Sequence, residues 1–430
     1  MHGINREEQE FSRQIQLATQ TNYQLVALTN AQKEEFYCLD YFFTQSENAL
    51  KRLSKKTETH LAPVFYQVDT TGSFAGLRHY SVSADSEQLL STGTKNSVKR
   101  MSNPVKNSDE LTERSGISSY DLLKQVGKGG FSRVILARMK TSGKLVAMKV
   151  MNKQDVISSN KVKQVMLERN ILVRLQHPFI VNLEDAFHTK HFLHLVLEFC
   201  PAGELFFHLS HRKNFAEEEA RLIIAEVILA IEYLHSNDIV YRDLKPENVL
   251  VDFNGHIKLT DFGLCKKNFR KQDLSNSLCG SPEYICPEML NSGTHSRTLD
   301  YYQIGALLYE LLTGLPPNYS SNKKQMFANI ARKEAPLPSY LSANAKSILK
   351  GLLQKDPTKR LGYDNEFEDI KTHPFFSTID WSKLLLKQKS GPLKPHLSGF
   401  YFDKEFIETL TDDQIKELYE ENESSTKRRR

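Results

Sequence analysis

Apolar and polar positions alternate with a short period from Tyr120 to Met151, in YDLLKQVGKGGFSRVILARMKTSGKLVAMKVM, and glycines interrupt the alternation. Such alternation broken at glycine predicts the strands and turns of a sheet. The period then lengthens: KVKQVMLERNILVRLQ, residues 161–176, has helical spacing, and His177-Pro178 should stop that helix. LHLVLEF, residues 193–199, reads as a buried strand. Beyond it helical patterns dominate to about residue 376. LIIAEVILAIEYL, Leu222 to Leu234, carries Glu226 and Glu232, so it is too short and too charged to span a membrane and reads as a buried helix. A β-rich segment followed by an α-rich one predicts an α+β fold of two lobes, with a cleft where they meet.

The flanks differ in texture. Residues 1–60 are rich in Gln, Asn, Glu and Lys, and Phe36, Leu39, Phe43, Leu50 and Leu53 recur near heptad spacing between Ala31 and Lys56. That spacing predicts an amphipathic helix, docked on its own chain or recruiting a partner or a membrane surface. Residues 84–116, rich in Ser, Thr, Asn and Lys, read as a flexible linker. The opening MHGINREEQE lacks the apolar core of a signal peptide.

Composition narrows the class. The chain has 430 residues, 40% hydrophobic and 25% charged, which fits a soluble globular protein with room for more than one domain. A net charge of +5, with both signs interspersed, is not the concentrated basic face of a nucleic-acid binder. Five cysteines form neither a CxxC pair nor a disulfide-like framework, which points to a reducing compartment. We expect a cytoplasmic monomer without a transmembrane segment. The basic end Lys427 to Arg430 reads as a solvated terminus, with a nuclear address as its alternative.

The chemistry lies in IVYRDLKPENVLVDFNGHIKLTDFG, Ile239 to Gly263, where Arg, Asp, Lys, Glu and Asn fall between Arg242 and Asn248 inside apolar flanks. Such a cluster is costly to bury without partners, and a site that handles metal-bound phosphate supplies them. Upstream, GKGGFSRV, Gly127 to Val134, makes a glycine turn between two strand-like runs. A turn of this kind lays backbone N–H groups over phosphates, although alone it is equally an ordinary hairpin turn. Lys149, in VAMK, sits inside an apolar strand and needs an anion if its amine points inward. Glu168 in the following helix can be that anion; by themselves the two would equally suit a surface salt bridge.

Taken in order, GxGxxxxV, VAMK, a helical Glu, YRDLKPEN, DFG and CPE run from Gly127 to Glu288, and on this order the chain resembles the protein kinase family. YRD stands where the family signature has HRD, and CPE where it has APE. The resemblance implies a bilobal fold with a small β-rich N-lobe and a larger helical C-lobe. It implies ATP and Mg²⁺ as cofactors, with Lys149, held by Glu168, on the α- and β-phosphates. Asp243 would orient the substrate hydroxyl and accept its proton, Lys245 would neutralise the transferring group, and Asn248 and Asp261 would hold Mg²⁺. The phosphates would lie under Gly127, Gly129 and Gly130, and the adenine between Val134, Ala147 and Leu250, against the Glu198–Cys200 backbone. Leu172, Leu183, Tyr241 and Phe262 would form an apolar column between the lobes, although any core would contain such residues.

HPFIVNL, GELFFHL, HIKLTDFGLCK, CGSPEY, GLPPNYS, QKDPTKRLG and YFDKEF bring the chain closest to the AGC group, and within it to the serum- and glucocorticoid-regulated kinases, protein kinase B and the ribosomal S6 kinases. This closer resemblance spans residues 120–408. It implies a serine/threonine acceptor, because Lys245 occupies the position that Ser/Thr kinases use. Ser281 would bridge Asp243 and Lys245. Ser277 would be phosphorylated by an upstream activating kinase, drawing in Arg242, and Glu288 and Arg360 would form a buried brace. Glu204, Glu247 and Glu310 would pair with substrate arginines, favouring Arg-x-Arg-x-x-Ser/Thr sites in protein substrates; Glu204 would also serve the ribose.

The division implied is an N-terminal region, 1–83, the linker, 84–116, a catalytic domain, 117–376, and an AGC-type C-terminal extension, 377–430. In that extension Phe402 would touch the nucleotide, but DDQIKELYEENESSTKRRR replaces the phosphorylated turn and terminal FxxF of the family. Ser132 replaces the third glycine of the loop; serine tolerates positive φ poorly and adds bulk near the phosphates, so we expect tuned nucleotide affinity and not a dead enzyme. The alternative function is a nucleotide-binding pseudokinase scaffold, which would usually lack Lys149, Asp243 or Asp261; this chain retains all three.

Overall fold

A computed structural model describes residues 116–393 and 410–419. The heptad-spaced stretch between Ala31 and Lys56, the linker up to residue 115, Phe402 and the basic end lie outside the described residues.

The alternating segment folds as expected into strands, β1 (Tyr120–Lys128), β2 (Ser132–Met139) and β3 (Leu145–Asn152). With β4 (Leu183–His188), which no period announced, and β5 (Phe192–Glu198), the buried strand expected at 193–199, they form one antiparallel sheet in the order β1-β2-β3-β5-β4. Val146, Met148 and Val150 of β3 are buried on one face, which leaves Ala147 and Lys149 to the other. Asn152 ends β3 and accepts hydrogen bonds from the N–H groups of Gln154 and Asp155. This cap starts a short helix, α1 (Lys153–Ser158), that periodicity alone does not announce. The next helix, α2 (Val162–Leu172), stops before the end of its periodic stretch. His177 Nδ1 accepts from Phe179 N–H at 3.2 Å, which favours a turn before Pro178 over further helix.

The second lobe is helical: α3 (Leu205–Arg212), α4 (Glu217–Ser236), α5 (Pro287–Asn291), α6 (Thr298–Thr313), α7 (Lys323–Arg332), α8 (Ala343–Leu352), α9 (Phe367–Lys371) and α10 (Trp381–Leu385). A two-stranded ribbon, β6 (Val249–Val251) and β7 (Ile257–Leu259), is too short to show a period in sequence. Glu226, inside the apolar run of α4, is fully buried and receives His256 Nδ1 at 2.6 Å and Ile257 N–H at 2.8 Å. The ribbon thereby satisfies the carboxylate that α4 would otherwise strand. Among the described residues no helix is long and apolar enough to cross a membrane.

The C-terminal extension runs past the ribbon. Gly391 N–H donates to Asn254 O at 3.0 Å, and Leu393 N–H to Gly255 O at 3.3 Å. A Cβ at Gly391 would lie 2.0 Å from the Gly255 carbonyl carbon, so only glycine permits this backbone contact. Farther on, α11 (Asp412–Tyr419) is helical, and Leu410, Ile415 and Leu418 pack with Ile117, Tyr120, Ile135, Val146 and Met148, on the sheet face opposite Lys149. The segment Leu410 to Leu418 thus anchors on the sheet through apolar side chains.

Candidate functional site

The cleft is built from the β1–β2 hairpin, β3, α2 and the loops around β6 and β7. Gly127 lies opposite Val134, and Gly129 N–H donates to Ser132 O at 2.7 Å to close the turn. No positive φ occurs at Gly127, Gly129, Gly130 or Ser132. The strain expected at Ser132 is therefore absent: the residue opens β2 in extended backbone, which serine adopts freely.

Antiparallel pairing aligns Lys149 with Val134 on one side and Leu195 on the other. Its Nζ reaches both oxygens of Glu168 on α2, at 2.7 and 2.9 Å. Burial opposes the charge of Lys149, but Glu168 and Asp261 offset it, and its pKa is raised. The lysine is therefore held as a cation, facing Asp261.

Asp243 is 6% exposed and is the centre of a polar node. Asn248 Nδ2 donates to Asp243 Oδ2 and to its backbone O, both at 2.8 Å. Ser281 donates to Asp243 Oδ1 through N–H at 3.1 Å and through Oγ at 3.2 Å. Lys245 Nζ donates to Ser281 Oγ at 2.9 Å and lies 3.7 Å from Asp243 Oδ2. Gly280, at φ +93°, brings Ser281 in; a Cβ there would lie 2.9 Å from Arg242 O. The polar cluster that looked costly in sequence is thus internally satisfied.

The backbone around the node is fixed from α6. Asp300 accepts from Tyr241 N–H and Arg242 N–H, each at 2.9 Å, and from His235 Nε2 at 2.7 Å. Arg242, with φ +72°, turns its guanidinium to Leu264 O, Cys265 O and, at 2.8 Å, Ser277 Oγ. Tyr241 donates to Thr260 O and meets Phe262 edge to face, with ring centroids 5.6 Å apart. Leu172 and Leu183 join the same apolar cluster. Glu288 and Arg360 form a bidentate pair with both distances at 2.7 Å.

Both donors of the Asn248 amide are spent on Asp243, so Oδ1 is its available atom. Thr260 N–H donates to Asn248 O at 3.1 Å and sets Asp261 nearby. Asp261 has φ +55°, and its Oδ1 accepts Gly263 N–H at 3.3 Å. One carboxylate and one amide oxygen are hard donors. Among the described residues no group of three or more His, Cys, Asp or Glu could form a complete metal cage. This sparse donor set fits Mg²⁺, which retains water and takes phosphate oxygens as ligands.

At the far side of the cleft, Glu198 ends β5 and Cys200 follows, 4% exposed. Glu198 Oε2 collects Lys258 Nζ at 2.7 Å, Asn182 Nδ2 at 3.2 Å and Asn182 N–H at 3.3 Å. This node joins the strand end to β7; Asn182 and Lys258 lie within HPFIVNL and HIKLTDFGLCK, but nothing in those motifs gives them this role. Leu250 lies in β6 and forms a bridge with Glu204.

Beside Asp243 opens a groove of about 540 Å³, lined by Lys245, Glu247, Ser281, Glu283, Glu310 and Tyr319, among others. Glu247 and Glu310 meet here. Glu204 is not part of the lining and sits at the start of α3. Glu283 is an additional acid, between Pro282 and Tyr284 in a motif already noted for Ser281. Burial, and then Glu247 and Glu283, push the Glu310 carboxyl up to about 8. Tyr284 OH donates to it.

A protein kinase domain profile matches residues 120–376. The chain is 46% identical over 296 residues to serine/threonine-protein kinase Sgk1 of Danio rerio, covering 68% of each protein. Against Sgk1 of Homo sapiens identity is also 46% over 296 residues, covering 68% of this chain and 69% of the relative. Against Sgk1 of Xenopus tropicalis it is 45% over the same length, covering 68% and 71%. Use of ATP with Mg²⁺ is general to this family. The pseudokinase alternative finds no support. The chain belongs to the protein kinase family, on its AGC branch close to the SGK enzymes, and is a serine/threonine protein kinase with their bilobal fold.

Proposed function

We propose that the protein transfers the γ-phosphoryl group of ATP to Ser or Thr in Arg-x-Arg-x-x-Ser/Thr-like sites, and that phosphorylation of Ser277 activates it. The observation that carries this reading is the juxtaposition of the Asp243 node with an acid-lined groove, the two sharing Lys245 and Ser281. Serine/threonine transfer needs a carboxylate at the hydroxyl, and arginine selection needs carboxylates one peptide length away.

Asp243 orients the incoming hydroxyl and accepts its proton at a carboxylate oxygen, which retains lone pairs beyond those used by Asn248 and Ser281. Lys245, kept close by Ser281 Oγ, offsets charge on the group in transfer. Lys149 and Glu168 align the nucleotide under Gly127, Gly129 and Gly130, with Val134, Ala147, Leu250 and the Glu198–Cys200 backbone around the base. Phe402 and Glu204 would add nucleotide contacts. Asn248 Oδ1 and Asp261 are the atoms for Mg²⁺, which when bound neutralises phosphate charge. Glu247 and Glu310 take the guanidinium groups of the substrate, with Glu204 as a third acid and Glu283 added from the groove. Arg242, already at 2.8 Å from Ser277 Oγ, is the receptor for a phosphate there and stands next to Asp243 in sequence.

The test is transfer of labelled γ-phosphate into an Arg-x-Arg-x-x-Ser peptide by protein phosphorylated at Ser277. We expect turnover that is lost in Asp261→Ala and reduced in Ser277→Ala. Equal turnover of a peptide with both arginines replaced by alanine would refute the substrate class.

A further inference from the structure

Against the loop that carries Ser277 lies a second, unexplained group on the segment between α5 and α6. Ser275 and His295 exchange both backbone hydrogen bonds, each at 2.9 Å, as an antiparallel bridge. Directly opposed residues in such a pair project their side chains to the same face. On that face Ser275 Oγ lies 3.0 Å from Ser277 Oγ, and Arg242 Nη1 donates to Ser277 Oγ at 2.8 Å. The His295 ring is 1% exposed, and neither of its nitrogens has a partner among the described residues. It stacks on Phe269, with centroids 6.5 Å apart, and Lys266 Nζ lies 4.9 Å from the centre of that same ring.

A buried imidazole with two unused nitrogens is unfavourable, and proteins seldom retain one without a role. Burial, followed by the charge of Arg242, lowers its pKa to about 4; Lys266 adds to the lowering, while Asp300 on α6 and Glu288 on α5 work against it. The ring is therefore neutral while Ser277 carries a bare hydroxyl. A phosphate carries about −1.5 to −2 charges and three acceptor oxygens, and would reverse that balance.

We propose that His295 is a ligand of the Ser277 phosphate: as the phosphate arrives the imidazole takes up a proton, and its N–H completes a pocket otherwise formed by Arg242 and Lys266. The proposal rests on reading Ser277 as phosphorylated. In the modifying step, Ser277 Oγ forms a bond to the γ-phosphorus of the upstream kinase's nucleoside triphosphate. The bond to the bridging oxygen breaks, the nucleoside diphosphate leaves, and the hydroxyl proton is released. The proton on His295 comes from solvent. Activation is then proton-linked, stronger at mildly acidic pH than a pocket of permanent cations would make it.

The experiment uses full-length protein with phosphoserine introduced at 277. The phosphate is followed by phosphorus NMR and the histidine rings by carbon-labelled NMR, between pH 5 and 8.5. We expect the His295 pKa to rise by about two units or more on phosphorylation, since two opposite charges in contact interact by several kcal/mol even at an effective dielectric of about 20. The phosphate's own second ionisation should move to lower pH, and His295→Gln and His295→Asn should both abolish that movement. The titration of His295 in the unsubstituted protein keeps the test open should either variant fold poorly. An imidazole that stays neutral down to pH 5 beside the phosphate overturns the proposal, as does a phosphate titration unchanged in folded His295→Gln. Activation by phosphoserine with an unmoved His295 defeats this inference and leaves the activation reading standing. A shifted His295 without activation supports the pocket and defeats that reading.

Discussion

At the transfer node Asp243 receives Asn248, Ser281 and, at longer range, Lys245, so each charged group there has a partner before any substrate arrives. Next to it, in a groove that shares Lys245 and Ser281 with the node, lie Glu247, Glu283 and Glu310, and burial with the charges of the other two pushes Glu310 up to about 8. The two halves of the cleft therefore treat charge in opposite ways. The node is preorganised by its own hydrogen bonds, so the proposed transfer would need little reorganisation. The groove keeps the Glu310 carboxyl largely protonated until a cation approaches, which under the proposed substrate class would make selection depend on the substrate's charge. Under the proposed function, one half of the site would serve rate and the other recognition.

Breaking the node should have the largest effect. Asp243→Asn keeps the shape but removes the proton acceptor, and we expect kcat to fall by about 10²–10⁴-fold with ATP binding nearly unchanged. Retention of more than half the activity in a phosphotransfer assay would remove Asp243 from the mechanism. Next in size come Glu310→Gln and Glu247→Gln. Each deletes one charge-assisted contact, so the KM of a two-arginine peptide should rise about 10–100-fold with kcat little changed. A loss confined to kcat would contradict the division between the halves.

The pH dependence sharpens the same comparison. At pH 7 Glu310 is mostly protonated, whereas a guanidinium binds its ionised form. Peptide KM should therefore fall as pH rises from 7 to 9, by about 10-fold for roughly one unit between pH 7 and the carboxyl's pKa. Glu310→Gln should flatten that profile, and a profile that stays steep in the variant would assign the proton elsewhere. The smallest effect expected is at the Glu198 node. Lys258→Gln loosens the strand end beside the nucleotide, and KM for ATP should rise about 3–10-fold, the equivalent of a contact worth ~1 kcal/mol, with peptide KM unmoved. Equal shifts in both constants would mean that Lys258 only stabilises the fold.

Much of the site was legible along the chain because its parts lie in short, ordered segments. A glycine hairpin, an inward lysine in β3 and the run from Arg242 to Asn248 are each fixed by local geometry, and their order named the family. Strands β1 to β3 and β5, and α4, followed from period, whereas β4 did not. Ser132 shows the limit in one direction: the expected strain required a φ that the extended start of β2 does not have. Asn182, Lys258 and His295 show it in the other. Their partners are Glu198 and the face shared with Ser275, and nothing in the spacing of these residues announces the meeting. Glu283 lay inside a noted motif, yet only the groove reveals that it faces Glu247 and Glu310.

The sequence by itself announced β1 to β3, β5, the helices α2 and α4, and the family that the chain joins. These properties depend on periodicity and on residues close together in the chain. Tertiary structure alone decided the protonation balance of Glu310 and His295, the lysine at the end of β5, and the seat of α11 on the outer face of the sheet. Burial and Coulomb energy depend on distance through space, and those distances exist only once remote segments have packed together.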